Sequence, residues 1–437
     1  MKRILFLIGC LCLSRFANAQ VRFNSLEEIW RYADKNNIQL LTAAGNKSMA
    51  ADNVKQAYGA LLPTVTATGG FTDNVKIQST LIPANLFNSA APPGTFTQVA
   101  FGTKYIYNGA VAAQLNILNT QDWFHIQAAK LNEELSAQNM AKTKADLYAQ
   151  LANAYYSYLL LQEAAHLSEE NLHTTAAIYE LSDNKYKDGQ ISEVTLNTAR
   201  INKEKAMKNR EVALQQQAVQ LNNLKLMLNI KDSLSLATVL TTLELQTSDK
   251  KNFEEDPAIR IAYTQLQLSK NNLRNSRAAL NPTLSAFYQY STQIASNEFV
   301  KFGNSNNMPA QYWGLRLSVP VFSGNTKRYE IAKNKTDYSN KQLLYDNARL
   351  QSDINDQNLL INYHSTQQAF LRARDILDLY RKNDGHATLQ LQEGIISLDD
   401  RLKVFSDLIT NQNEYLQSMS DYFIQEYNMQ VRQTKFQ

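Results

Sequence analysis

Long stretches of this chain contain neither glycine nor proline, and their composition predicts helices of unusual length. Residues 110–188, 190–256 and 325–384 are such stretches, and they are rich in Ala, Leu, Gln, Lys and Glu, which favour helices. A helix over residues 121–186 would be about 100 Å long, given the rise per residue of an α-helix. The pattern therefore predicts long rods rather than the short helices of an ordinary globular domain.

Apolar residues in these stretches recur at alternating intervals of four and three positions. Such a narrow apolar seam predicts the packing of a coiled coil, although the core of an ordinary helical bundle would show the same seam. The faces between the seams are rich in Asn and Gln and are expected to be solvated. In a further stretch without glycine or proline, residues 395–437, the seam consists of Leu398, Leu402, Phe405, Ile409, Leu416, Met419 and Phe423, with polar Gln412 in one place.

The segments that contain glycine and proline follow a different period. Apolar and polar residues alternate over 104–118 and 312–321, and more weakly over 64–76 and 283–296. A period of two indicates strands with one apolar and one polar face. The polar connecting stretches 79–100 and 299–310 are predicted to be loops. Aromatic residues near the strand ends are typical of the girdle of a membrane sheet, and they are Tyr288, Tyr290, Tyr312 and Trp313.

The chain carries an internal repeat. Residues 57–65 correspond to 276–284, and residues 186–192 correspond to 391–397, with offsets of 219 and 205 positions. Each copy reads as helix, strand, strand, long helix, turn and long helix.

The repeat gives a domain organisation in which a linker joins two structural repeats. In the first repeat, 20–230, strands are expected at about 64–78 and 103–118 and long helices at about 121–186 and 191–230. A linker covers 231–256. In the second repeat, 257–437, strands are expected at about 283–297 and 311–322 and long helices at about 325–383 and 395–432.

Four strands cannot close a barrel by themselves, because even a small barrel needs about eight. Open strand edges inside hydrocarbon would leave backbone groups without partners, at several kcal/mol each. After the first residues no run of eighteen apolar residues occurs, so no membrane-spanning helix is predicted. A barrel in a membrane would have to be shared between chains: two copies supply eight strands, and three supply twelve with room for a channel.

The first residues read as a cleaved export signal. Lys2 and Arg3 precede an apolar run over 4–13, and Ala17 and Ala19 supply the small residues of a cleavage site, so residues 1–19 are predicted to be a signal peptide. A rival interpretation makes Cys10 a lipidated cysteine.

Composition argues against several other classes of function. The only cysteines, Cys10 and Cys12, lie within the predicted signal peptide, so no disulfide, thiolate nucleophile or sulfur ligand is expected afterwards. Without the signal peptide, 41 basic residues face 40 acidic ones, which gives no argument for nucleic acid. Of the five histidines, His166 and His173 lie seven residues apart on one helix face and could suggest a metal pair, but a site of two histidines without carboxylate support is improbable. No catalytic motif is found, and we expect no enzyme activity, no cofactor and no metal site.

These features together resemble the TolC family of outer-membrane efflux proteins over residues 24–432. The resemblance depends on the duplicated Pro-containing approach to each strand pair, on Val319–Gly324 after the second pair, and on the glycine turns at Gly189 and Gly394. It implies a mainly α-helical protomer whose long helical hairpins form a periplasmic tunnel and whose four strands join a twelve-stranded barrel in a homotrimer. It places the predicted linker at the equator of the tunnel.

The family also implies partners and a location. It implies a passive channel in the outer membrane of a Gram-negative bacterium, serving tripartite efflux or type I secretion of small molecules or proteins. The expected partners are a periplasmic adaptor (membrane fusion) protein, an inner-membrane pump of the RND or ABC type, and outer-membrane lipid. The alternative hypothesis, from a different class of function, is that the chain is a periplasmic coiled-coil scaffold or adhesin without a pore.

Functional residues carry over from the family only in part. Asp400, with Asp399 beside it, stands where the family often places an aspartate that rings the periplasmic entrance, although solvated acids in a first helical turn are an equally ordinary feature. Where some members have a polar latch, this chain has Leu391, Ile396 and Thr195, so the latch is absent or replaced by apolar contact. The helix tips expected to contact the adaptor are Gly189, Gly394, Ser192 and Ser397.

Overall fold

The structure is a computed structural model that describes residues 21–238, 240, 253–299 and 306–434. The predicted signal peptide, with Cys10, lies outside the described residues, as does most of the second half of the predicted linker.

Eight strands and seven α-helices follow one another in the described part of the chain. The strands are β1 (Val21–Phe23), β2 (Thr64–Asp73), β3 (Ser79–Pro83), β4 (Phe96–Ala100), β5 (Tyr105–Leu118), β6 (Leu234–Leu236), β7 (Thr283–Ser296) and β8 (Asn306–Ser318). The helices are α1 (Leu26–Asn36), α2 (Ile38–Tyr58), α3 (Thr120–Lys187), α4 (Glu193–Leu228), α5 (Pro257–Ala278), α6 (Thr326–Gln392) and α7 (Leu398–Gln433).

The longest helices, α3 with 68 residues and α6 with 67, fall in the stretches that are poor in glycine and proline. Backbone hydrogen bonding can continue there because no proline removes a donor, and Gly385, the one glycine within these two helices, keeps a helical backbone angle. None of the helices in the described residues is apolar over a long enough stretch to cross a membrane.

The chain divides into two compact units. The first contains the described parts of 1–48, 135–263 and 343–437, and the second contains 49–134 and 264–342.

The core of the first unit is rich in aromatic side chains. Tyr422 and Tyr427 are fully buried, and the ring of Tyr422 stacks on Phe370 at 5.5 Å between centroids. The predicted seam lies on this buried side of α7, and its polar member Gln412 accepts a 2.7 Å hydrogen bond from the side-chain amide of Asn171. The polar residue is tolerated because it has a partner.

A small parallel sheet also belongs to the first unit. Strand β6 lies within the predicted linker and pairs with β1, so that Val21 faces Leu234 and Phe23 faces Leu236. These residues join the buried core, and the linker is therefore partly ordered structure rather than a simple connection.

The second unit is built around a four-stranded antiparallel sheet in the order β2-β5-β7-β8. Among the described residues, β2 and β8 are the two edge strands of this sheet, and each pairs on one side only. All ten residues of β2 are exposed. The sheet therefore presents two unpaired edges, which natural proteins normally cover or pair.

The register of this sheet separates apolar from polar side chains. Tyr288 of β7 lies opposite both Ala113 of β5 and Trp313 of β8, on the same face as Leu315. On this apolar face Trp313 is 78% exposed and Leu315 is 60% exposed. The opposite face is mainly polar, and it carries Thr64, Thr66, Thr68, Asn108, Gln114, Gln289, Gln293 and Arg316.

The two stretches that were predicted to be loops are partly strands, and that prediction was wrong. Strands β3 and β4 form a hairpin within 79–100, and β8 begins at Asn306, inside the second predicted loop. Each strand of the hairpin has only five residues, which is too short for a clear alternation in sequence.

Candidate functional site

The turn after α3 has a geometry that requires glycine. Gly189 has a φ of +72°, its N–H donates to the Tyr186 carbonyl at 2.9 Å, and the N–H of Gln190 donates to the Lys185 carbonyl at 2.8 Å. These two bonds form a Schellman motif, which satisfies the last carbonyls of a helix. A Cβ at Gly189 would meet nothing within 4 Å, so the requirement comes from the backbone angle and not from space.

The turn after α6 repeats this geometry in the second half of the chain. Gly394 has a φ of +73°, and its N–H donates to the Leu391 carbonyl at 3.2 Å. The N–H of Ile395 donates to the Gln390 carbonyl at 2.8 Å. The internal repeat of the sequence is therefore a repeat of turn geometry, and we call the two turns (residues 188–192 and 393–397) the helix tips.

A serine begins the helix that follows each tip. The hydroxyl of Ser192 accepts from the backbone N–H of Thr195 at 3.2 Å, and that of Ser397 accepts from the backbone N–H of Asp400 at 3.1 Å. In the second tip Asp400 also accepts from the Ser397 N–H at 3.2 Å, which completes a capping box.

Asp400 is exposed, and its carboxylate is held by the capping serine. The hydroxyl of Ser397 donates to it at 2.6 Å. The hydrogen bonds from the side chain and backbone of Ser397 hold the pKa of the Asp400 carboxyl below its ordinary value. Asp400 is therefore a fixed negative charge at the start of α7.

The helices that follow the two tips contact each other through Thr195 and Asp399. The hydroxyl of Thr195, which is 6% exposed, donates to the carboxylate of Asp399 at 3.3 Å. Beside this hydrogen bond, side chains of α3, α4, α6 and α7 pack into one apolar cluster. Its buried members are Ile178, Ala199, Leu377, Leu398, Leu402, Phe405 and Leu408.

The other two residues predicted at the entrance lie close by. Leu391 is half-buried against the apolar cluster. Ile396 is half-buried and lines a groove of about 350 Å³ together with Asp400, Tyr380 and His386. The structure thus gathers the five residues at one end of two hairpins, while their role at a constriction remains a prediction.

An ion pair at this end was missed by the sequence reasoning. The guanidinium of Arg401 donates to both carboxylate oxygens of Asp384, at 2.7 and 3.2 Å, and the Arg401 side chain is 4% exposed. The guanidinium also lies 5.4 Å from the centre of the Phe405 ring. This bidentate contact joins α6 to α7 next to the second tip.

The sequence held one signal for this pair. Arg401 stands three residues after Leu398 and one before Leu402, on the stripe that otherwise carries apolar seam residues. A cation on a buried stripe requires a partner, but its spacing does not say which acid supplies one.

Comparisons with known proteins agree with this architecture. The family described as "Outer membrane efflux protein" matches residues 31–229. Among curated proteins, none matches the chain by sequence.

Several solved structures share the fold over most of their length. A membrane protein from Pseudomonas aeruginosa has a TM-score of 0.76 at 15% identity, with 95% of this chain and 91% of that chain covered. The CmeC outer membrane channel of Campylobacter jejuni has a TM-score of 0.75 at 16% identity, with coverage of 93% and 85%. The open state of the MtrE outer membrane channel of Neisseria gonorrhoeae gives 0.74 at 17%, with coverage of 93% and 88%. The predicted mainly α-helical fold with its strands and the resemblance to this family are confirmed, whereas the barrel shared between three copies remains a prediction.

Proposed function

We propose that this chain is a member of the outer membrane efflux protein family and one protomer of a passive channel across the outer membrane of a Gram-negative bacterium. The observation that carries the proposal is the four-stranded sheet with two unpaired edges and opposite polarity on its two faces. A sheet of this kind fits a wall between lipid and water, with the apolar face toward lipid.

Strand length supports this position. β5 and β7 have 14 residues each, and β2 has 10. A tilted strand needs about 9–11 residues to cross the hydrocarbon layer, so each strand is long enough.

The unpaired edges of β2 and β8 imply that other copies complete the wall. In hydrocarbon an unpaired backbone group costs several kcal/mol, because water cannot take the place of the missing partner. Three copies give twelve strands and an interior wide enough for a channel, whereas eight strands leave an interior that side chains fill. The proposed assembly is therefore a homotrimer with a shared twelve-stranded barrel.

The helical hairpins of the three copies then form the periplasmic tunnel. The helix tips at Gly189 and Gly394, with their capping residues Ser192 and Ser397, are the proposed contacts for a periplasmic adaptor. An inner-membrane pump of the RND or ABC type supplies the energy, because the channel itself is passive. Small molecules or proteins are the proposed cargo.

The proposed entrance uses the residues between the tips. Thr195, Asp399 and Asp400 are polar or charged there, and Leu391 and Ile396 are apolar. Threefold repetition of the Asp400 carboxylate would concentrate cations at the constriction. None of these steps requires a catalytic residue, and the proposed function includes no enzyme activity.

A cross-linking experiment tests the shared sheet. Outside residues 10 and 12 the chain has no cysteine, so no native cysteine of the later chain competes with the introduced ones for the cross-linker. Thr68→Cys in β2 is combined, in separate variants, with Met308→Cys, Ala310→Cys or Tyr312→Cys in β8, all on the mainly polar face. A short bis-maleimide should link neighbouring copies and give covalent dimers and trimers for at least one pair.

A matched pair supplies the control. Ala112 and Gln289 lie opposite each other on adjacent strands of one chain. Cysteines at these positions should give only a cross-link within the chain. If no β2–β8 pair yields a product larger than one chain, the proposed assembly is wrong. That result would favour the alternative hypothesis of a scaffold or adhesin without a pore.

A further inference from the structure

Exposed apolar side chains continue past the end of β8 into the connection that leads to α6. Val319 is 53% exposed, Val321 is 93% exposed and Phe322 is 82% exposed. Val319 and Val321 continue the every-second-residue series of Leu315 and Leu317 on the apolar face of the sheet. An apolar patch that extends beyond the last strand pairing marks a surface that contacts something other than water.

Two basic residues stand beside this patch. A groove of about 280 Å³ is lined by Leu280, Val321, Phe322, Lys327, Arg328 and Ile331. The ammonium group of Lys327 donates to the carbonyl of Ala279 and keeps two further protons for another acceptor. Within the described residues neither cation forms an ion pair. We call Leu280, Val321, Phe322, Lys327 and Arg328 the basic corner.

Helix stability does not explain the two cations. Lys327 and Arg328 lie in the first turn of α6, which contains no acidic residue. Cations are unfavourable at this end of a helix, because the helix dipole is positive there. Their position therefore points to a partner outside the described chain.

The corresponding connection in the first repeat is built differently. It leads into α3, and there Asp122 is buried and accepts a 2.9 Å hydrogen bond from the side-chain amide of Asn119. No lysine or arginine occurs between Leu118 and Lys130. The first connection is capped by its own acid, so only the second has the cations for an anionic partner.

We propose that the basic corner binds an anionic glycerophospholipid of the periplasmic leaflet. The lipid phosphate contacts Lys327 and Arg328, and an acyl chain lies against Val321, Phe322 and Leu280. Charge complementarity selects an anion, and the continuity of the corner with the apolar face of the sheet selects a lipid over a free phosphate. The inference rests on the proposed membrane location, and it predicts one such site in each copy.

Lipid retention by the full-length protein tests the proposal. The protein in detergent is mixed with phosphatidylglycerol or with phosphatidylcholine of the same acyl chains, and bound lipid is counted by native mass spectrometry. We expect up to one tightly retained phosphatidylglycerol per copy and weaker retention of phosphatidylcholine. Each basic residue near an anionic lipid surface contributes about a fivefold gain in affinity, so Lys327→Gln/Arg328→Gln should weaken retention roughly 30-fold.

Controls separate this site from general charge and from phosphate. Lys333→Gln/Lys335→Gln removes two cations of the same helix away from the corner and should leave retention unchanged. Phe322→Ser should weaken retention while leaving both cations in place. Inorganic phosphate at millimolar concentration should not displace the lipid.

Three results would overturn the proposal: equal retention of both lipids, an equal effect of the control pair, or complete displacement by inorganic phosphate. The cross-linking test of the shared sheet is scored separately. A trimer that forms but shows no lipid preference would reject the basic corner and leave the proposed channel intact.

Discussion

Replacing Asp384 with asparagine would leave the guanidinium of Arg401 buried without a countercharge. Arg401 is 4% exposed and Asp384 is 18% exposed, and two hydrogen bonds at 2.7 and 3.2 Å join them. Removing one partner of a buried pair costs about 3–5 kcal/mol. Because the Asp384 side chain is partly exposed to solvent, we expect a destabilisation of about 3 kcal/mol, at the lower end of that range.

This loss of stability should appear as local opening of α6 and α7 on either side of the second tip. About 3 kcal/mol corresponds to roughly a hundredfold increase in the open population, since about 1.4 kcal/mol is a factor of ten. Hydrogen exchange measured by mass spectrometry should therefore become about a hundredfold faster for the slowest amides of residues 377–408.

Two variants show whether the effect belongs to the buried pair. Lys187 and Asp183 form an exposed pair one helical turn apart, so Asp183→Asn should cost about 0.3–0.5 kcal/mol and change exchange about twofold. The double variant Asp384→Leu/Arg401→Met replaces the pair with apolar side chains and should exchange nearly as slowly as the wild type. If Asp384→Asn exchanges no faster than Asp183→Asn, the pair does not hold α6 and α7 together and the reasoning fails.

Three further perturbations follow from the structure. Gly394→Ala should destabilise the second tip by about 1 kcal/mol, because φ is +73° there, whereas Gly385→Ala inside α6 should stabilise the helix by about 0.5–1 kcal/mol. Thermal unfolding measures both variants, and a higher unfolding temperature for Gly394→Ala or a lower one for Gly385→Ala would refute this assignment. Glu426 is 5% exposed, and burial raises the pKa of its carboxyl, so the free energy of unfolding should fall as pH rises through that raised pKa. Glu426→Gln should make this fall smaller when unfolding is measured over a series of pH values, and an unchanged pH dependence would contradict the prediction. Asp400→Asn should lower the cation preference of single channels in a lipid bilayer, and unchanged selectivity would remove Asp400 from the pore.

The fold was largely predictable because its elements are long and periodic. Tracts such as 325–384 specify helices by their composition, and the alternation around Trp313 specifies a strand by its period. Short elements were not predictable in the same way. Strands β1 and β6 have three residues each and pair across more than 200 positions, so neither period nor local turn chemistry marks them.

The site was predictable at positions where the backbone conformation favours one type of residue. Gly189 and Gly394 take left-handed backbone angles, and Ser192 and Ser397 begin the following helices, all of which leave local traces in sequence. Contacts between helices leave no such trace. The meeting of Thr195 with Asp399 depends on how two distant hairpins pack, and no spacing within one helix encodes it.

The proposed channel requires that other copies of the same chain complete the two unpaired edges of the sheet. Native mass spectrometry of the purified full-length protein in detergent tests this most directly. We predict a single dominant species with the mass of three copies. A stable, monodisperse species with the mass of one copy would contradict the account.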